Sequence, residues 1–192
     1  SECAGIPVSQ VLIGSCTNSS LKDLHLVAAM LKGRKVLPGV SLGIAPGSRQ
    51  VLQMLSEDGS LAVMLEAGCR ILESACGPCI GQGFSPASGT VSVRTFNRNF
   101  LNRTGTKNDQ CYLVSPESAV ATALTGKLSD PRTVASDLGL EYPQWQMPAR
   151  FRIDDSMIQQ PAAHGSAGEI IRKETIGEPP HGSPLPETLD GE

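Results

Sequence analysis

Five short apolar runs, each closed by a polar or glycine-rich loop, constrain this chain more than any other feature. Runs over 6–13, 40–45, 69–72, 90–94 and 110–114 have the length and the Val, Ile and Leu content of buried strands. Between them lie helical patterns. Over 21–31, Leu21, Leu24, Val27, Ala28 and Leu31 fall on one helical face, behind a capping box of Ser20 and Asp23 and ahead of Gly33. Further helices are expected over 49–58, 61–67 and 116–124, the last capped by Ser115 and started by Pro116. Such alternation specifies an α/β fold, a three-layer α/β/α domain around a mostly parallel sheet of about five strands.

That order has a functional consequence. The unusual loops, 15–20, 46–48, 76–82 and 97–103, each follow a strand. In open α/β sheets, ligands bind outside the carboxyl ends of the strands, so these loops should meet on one edge.

The character changes after Tyr142. Residues 143–148 break regularity, 148–158 read as a short strand or turn, and 159–192 are rich in Pro, Gly, Ser and Glu. The expected division is a domain over 1–147 and an extended, partly disordered linker segment over 148–192. A start without Met, with a strand almost at once, suggests a piece of a larger polypeptide whose remaining domains are its first partners. Hydrophobic residues make up 40% of the 192, enough for a core, but aromatics are only 4%, so that core must be aliphatic. No apolar run approaches the ~20 residues of a membrane span, and no secretory leader is visible. A net charge of -3 argues against nucleic acid as a partner. The expected compartment is the cytoplasm, or the mitochondrial matrix in a eukaryote.

Six cysteines without a secretory leader point to reduced thiols, metal ligands or catalysis. Cys76-Gly77-Pro78-Cys79 sets two thiols on a small-residue loop, and Cys16 lies far upstream in Gly14-Ser-Cys-Thr-Asn-Ser-Ser20. Three soft thiolates suit an iron–sulfur cluster with one open iron. A redox dithiol, a structural metal, or a glycine-rich turn with incidental cysteines are the alternatives; His25, His164 and His181 lack zinc-finger spacing. Cys69 and Cys111, in or beside apolar strands, read as small buried hydrophobes. Arg98 and Arg103 place two guanidiniums on one polar loop, suited to a di- or tricarboxylate, with Asn97 or Asn99 as donors to sulfur or substrate. A solvated surface loop is the plainer reading. Ser48 reads as an N-cap, and His25 as a helix-surface residue without a ligand role.

Gly14-Ser-Cys-Thr-Asn-Ser19, Pro46-Gly-Ser48, Ala75-Cys-Gly-Pro-Cys-Ile-Gly-Gln82 and Phe96-Asn-Arg-Asn-Phe100 with Arg103 stand in the order found in the aconitase family. That family also includes homoaconitase and isopropylmalate isomerase. The resemblance covers residues 7–132, with Ser115-Pro116-Glu117 as a further landmark. It implies that Cys16, Cys76 and Cys79 hold a 4Fe–4S cluster whose labile iron binds the substrate hydroxyl and a carboxylate. It implies that Arg98, Arg103 and Asn97 serve the substrate. The form of the Cys76–Gln82 loop resembles the aconitase version, which points to citrate and the tricarboxylic acid cycle, with homoaconitase or isopropylmalate-isomerase substrates second. The chain is similar to the third of the family's four domains, cut before the swivelling domain. No catalytic acid or base is identified in it, so alone it is expected to be inactive and to lose its cluster in air. Readings of another class are an RNA-binding form without cluster and a redox or zinc-binding module.

Overall fold

The runs of branched and apolar residues form five parallel strands: β1 (Gln10–Gly14), β2 (Ser41–Ala45), β3 (Arg70–Ile71), β4 (Val91–Arg94) and β5 (Gln110–Leu113). The structure is a computed structural model that describes residues 2–161 together with Gly177, His181 and Gly182. Strand order is β3-β2-β1-β4-β5, and every pairing is parallel. β1 is therefore the middle strand, and the chain winds outward from it in both directions. This is the expected α/β fold with its parallel sheet.

Side chains alternate across a strand. Val11 and Ile13 of β1 point into the large core, which α1 (Leu21–Leu31), α2 (Arg49–Glu57), α3 (Ser60–Ala67) and α4 (Pro116–Thr125) share. Leu12 points the other way, into a smaller cluster with Cys79, Phe84, Phe96 and Leu72. Cover on this second face comes from a short 3-10 turn, Pro78–Ile80, and its loop. The cysteine loop is thus itself a structural layer.

Caps follow the sequence closely. Ser20 and Asp23 form the reciprocal capping box of α1. The Ser48 hydroxyl accepts from Val51 N at the start of α2, and Ser115 caps α4. Two differences have physical causes. Residues 6–8 leave the expected first strand and pair with the segment after α4: Val8 N donates to Gly126 O and Leu128 N to Ile6 O, around an antiparallel Pro7–Lys127 bridge. Pro7 has no amide to donate to a ladder, so pairing here is broken and local. A further helix, α5 (Pro131–Asp137), also forms, capped by Asp130 with proline in its first turn. It buries only Val134, too little apolar signal to register as periodicity.

Residues 1–154 make one compact unit and 155–192 a second. In the first, the stretch before residue 154 forms no strand; it is tied by Arg152 Nη1 to Glu57 Oε1 at 2.8 Å and by Gln50 Nε2 to Asp154 O at 3.2 Å. In the second, residues 155–161 are exposed, with a turn from Ile158 N to Asp155 O. The linker expected over 159–192 lies almost wholly outside the described residues. Among the described residues no helix is long and apolar enough to cross a membrane.

Leu24 is fully buried on α1, whereas Leu65 on α3 is 53% exposed. Leu24→Ala should lower unfolding free energy by roughly 2–5 kcal/mol in chemical denaturation. Leu65→Ala should stay within about 0.5 kcal/mol. Equal effects would contradict this placement of the core.

Candidate functional site

The loop after β1 must turn sharply where the ladder ends. Gly14 does so at φ 104°, where a Cβ would lie 2.1 Å from Ala45 O. Ser15 (φ 78°) and Asn18 (φ 53°) also hold left-handed backbone, which costs a non-glycine residue free energy unless other bonds fix it. Those bonds run to three neighbouring strand exits. Ser15 N donates to Ala45 O at 2.7 Å, at the end of β2, and Gly47 N to Ser19 O at 3.1 Å, just beyond it. Gly14 N donates to Thr95 Oγ1 at 2.9 Å and Asn18 Nδ2 to Thr95 O at 2.6 Å, beyond β4. The Ser15 hydroxyl donates to Ala75 O at 3.4 Å, beyond β3. This last bond joins the residues that immediately precede Cys16 and Cys76. The edge-convergence argument therefore holds for these loops.

In the Cys76 loop, Cys79 N donates to Cys76 O at 3.2 Å and Gln82 N to Gly77 O at 2.9 Å. Cys76 is exposed and Cys79 buried. Gly81 (φ 88°) lets this loop touch the arginine loop, since a Cβ there would lie 2.0 Å from Thr104 O. Across that contact Arg103 Nη2 donates to Cys79 Sγ at 2.9 Å. Arg103 Nε is buried with no hydrogen-bond partner, and the guanidinium lies 5.5 Å from the Phe100 ring centre.

Not every expected residue gathers there. Asn97 and Arg98 are exposed on the same loop. Asn99 instead donates to Cys111 O at 2.6 Å, toward β5. All six cysteines are free, and as placed no three His, Cys, Asp or Glu side chains among the described residues stand close enough to hold a metal ion. The donor set nevertheless fits an iron–sulfur group chemically. Its soft sulfurs sit on the exits of neighbouring strands, one already receives a guanidinium N–H, and a second guanidinium nitrogen is buried without a partner.

Away from the edge, Cys69 is buried as expected, and burial pushes its thiol up to about 12. Cys111 is half-buried; burial raises its thiol too, against the nearby positive charge of Arg94. His25 sits on α1 as expected, but it is bonded on both ring nitrogens: Nε2 meets Asp58 Oδ2 at 2.6 Å, and Trp145 Nε1 donates to Nδ1 at 3.1 Å. Sequence reasoning missed Thr95, Ser15 and Arg94. The first two are ordinary polar residues whose role depends on which strand exits are adjacent. Arg94 carried a signal, a lone charge ending an apolar strand.

Comparison with known proteins gives consistent matches. The model of the aconitase family (aconitate hydratase) matches residues 1–126. Large subunit 2 of the 3-isopropylmalate dehydratase of Archaeoglobus fulgidus is 46% identical over 134 residues, 69% of this chain and 32% of that subunit. The homoaconitase large subunit of Thermus thermophilus is 44% identical over 134 residues, again 69% and 32% of the two chains. The 3-isopropylmalate dehydratase large subunit of Clostridioides difficile is 42% identical over 130 residues, 67% of this chain and 31% of that one. The chain thus spans about a third of the length of the curated relatives it matches.

The folded chain keeps the Cys69 proton up to about pH 12, while the unfolded chain releases it from its ordinary value near 9. This contribution to stability is whole below that ordinary value and is lost as pH rises through the window. Between about pH 9 and 11, Cys69→Ala should lose less unfolding free energy than wild type in parallel denaturation curves. Iodoacetamide at about pH 8 should modify exposed Cys16 and Cys76 and spare Cys69, as read by peptide mass mapping. Early Cys69 labelling, or identical pH slopes, would contradict its burial.

Proposed function

The chain belongs to the aconitase family, and we propose that it is the cluster-bearing part of a hydro-lyase that moves water on a hydroxy di- or tricarboxylate. Cys16, Cys76 and Cys79 hold a 4Fe–4S cluster, and Arg98, Arg103 and Asn97 receive the substrate. The observation that carries this reading is the contact between Arg103 Nη2 and Cys79 Sγ. It sets a carboxylate-recognising side chain against one of the three thiols, on the strand edge where the other two also lie.

When bound, the cluster supplies an open Lewis-acidic iron for departure of the substrate hydroxyl. The chain's own residues bind and orient. Arg103 is only part-buried and keeps Nη2 on sulfur, which leaves further guanidinium N–H donors for a carboxylate oxygen. Arg98, exposed five positions earlier on the same loop, reaches for a second carboxylate. Gly81 keeps the two loops in contact, which fixes the spacing between sulfur and guanidinium. Hydrogen bonds of this charged kind contribute about 1.5–3 kcal/mol each.

The substrate is of the 3-isopropylmalate or homoaconitate type ahead of citrate. Support comes from the names of the relatives, which are 3-isopropylmalate dehydratase and homoaconitase large subunits. The sequence-based preference for citrate rested on the form of one loop, and a substrate's distinguishing side group need not touch that loop at all. A place in the tricarboxylic acid cycle loses its support with it. The proton-abstracting groups and a further carboxylate site belong to remaining domains of the same polypeptide or to a partner subunit.

Three experiments test this. In the full-length protein, 3-isopropylmalate or a homoaconitate-type acid should turn over faster than citrate, and this chain alone should turn over none of them. Faster turnover of citrate would overturn the substrate assignment, and turnover by the isolated chain would overturn the division of labour. Arg103→Lys should lower kcat/KM roughly 10- to 100-fold. Anaerobic reconstitution should give iron and sulfide in wild type and much less in Cys16→Ser. Equal loading would remove Cys16 from the ligand set.

A further inference from the structure

Arg94 is the largest fully buried side chain among the described residues, 1% exposed. Its strand position explains its direction. Leu12 pairs with Arg94 and Gln10 with Ser92, so all four lie on the sheet face covered by the cysteine loop. There the guanidinium meets only neutral acceptors. Nη1 donates to Pro78 O at 3.1 Å, Nη2 to Gln10 Oε1 at 3.1 Å and to Phe84 O at 3.5 Å, and Nε to Ser92 Oγ at 3.4 Å. Gln10 Nε2 in turn donates to Ser85 O at 3.1 Å. The ring of Phe96 lies 5.6 Å from the charge. None of the ion pairs among the described residues involves Arg94.

Burying a cation is costly, and the offset here comes from its hydrogen bonds to neutral oxygens and from the attraction of Cys111, Asp109 and Cys79. Pro78 is the residue before Cys79, whose sulfur accepts a hydrogen bond from Arg103. Burial lowers the Arg94 pKa from its ordinary value, while Cys111, Asp109 and Cys79 oppose that shift. Arginine keeps its proton through such a shift, so the charge is permanent.

We propose that Arg94 is a positioning residue for the iron–sulfur group, with two separable effects. Its hydrogen bonds to Pro78 O and Phe84 O clamp the loop that carries Cys79. Its fixed charge stabilises the more negative, reduced state of the sulfur-bound group and so raises its reduction potential. The inference rests on the reading of Cys16, Cys76 and Cys79 as ligands. Nothing in the reading of Arg98 and Arg103 as substrate residues requires it.

The test uses the full-length protein as wild type, Arg94→Met and Arg94→Lys. Arg94→Met keeps length and removes charge, a replacement that buried ion sites commonly tolerate. Each is reconstituted anaerobically, assayed for iron and sulfide, and titrated with dithionite under electron paramagnetic resonance. The cluster-free forms are treated with iodoacetamide to read protection of Cys79. Arg94→Met should load iron, shift its midpoint negative by a tenfold or larger change in the reduced-to-oxidised ratio (about 59 mV for one electron), and lose Cys79 protection. Arg94→Lys should recover most of the potential but not the protection, because an ammonium keeps the charge and loses the fork. Wild-type midpoint and protection in Arg94→Met would overturn the assignment to Arg94 alone. A wild type that takes up no iron and sulfide would overturn the ligand reading and this inference together. Should Arg94→Met lack the wild-type circular dichroism spectrum, Arg94→Gln decides by the same two readings.

Discussion

Everything at the candidate site depends on how the backbone leaves β1. Past Gly14 the parallel ladder stops, and each amide and carbonyl of the loop must find another partner or stay unpaired at a buried position. Being central, β1 has strand exits on both sides, and the loop bonds to those after β2, β3 and β4. Each bond satisfies a polar group and also sets the spacing between two loops. Left-handed backbone at Ser15 and Asn18 follows from the same requirement, because the loop must present donors in three directions within a few residues. Cys16 lies exposed within this turn and inherits its placement.

The second face of the sheet shows how little material holds the cysteine loop. Among the described residues no long helix lies there; Leu12, Phe84, Phe96 and Cys79 make a small apolar cluster, and a guanidinium and an amide stand beside it. A few apolar side chains bury too little area to fix a loop of this length by themselves. Directional bonds from Arg94 and Gln10 to Pro78, Phe84 and Ser85 carbonyls add what the apolar cluster lacks. Gly43 fits the same scheme, since a Cβ there would lie 2.9 Å from the Phe84 ring. Glycine on β2 opens the space that this aromatic anchor fills.

Much of this was legible in the residues. Strand runs, caps and stops depend on neighbours within a few positions, and these agree with the structure at Ser20–Asp23, Ser48 and Ser115. The one-edge argument needed only strand–helix alternation, because a parallel sheet puts every strand exit on the same side. What stayed hidden depends on register and on long-range pairing. That residues 6–8 pair beyond α4 follows from where the helix returns the chain, which no local pattern encodes. The Asn99 side chain turns toward Cys111 because β5 lies beside β4. Arg94 was visible as a charge in an apolar run, but its meaning required the Leu12–Arg94 register and the loop that lies above it.

The two buried guanidinium contacts also separate tasks that one arginine could not perform together. Arg94 is enclosed, spends its donors on fixed backbone and side-chain oxygens, and has no route to a diffusing acid. Arg103 is only half-buried, holds sulfur with one nitrogen and keeps another unpartnered. A permanent charge beneath the loop therefore acts on the sulfur whether or not an acid is present, while the Arg103 charge is shared with whatever carboxylate arrives. In the proposed enzyme, the enclosed arginine sets the resting electrostatics and the accessible one couples them to substrate binding. On the cysteine and arginine loops, Ile80, Phe100 and Leu101 expose apolar surface, and Cys76 is exposed as well. Exposed apolar side chains on loops that also carry thiols are better suited to a covered edge than to open water. Cover would also strengthen both arginines, because excluding water raises the effect of every fixed charge within.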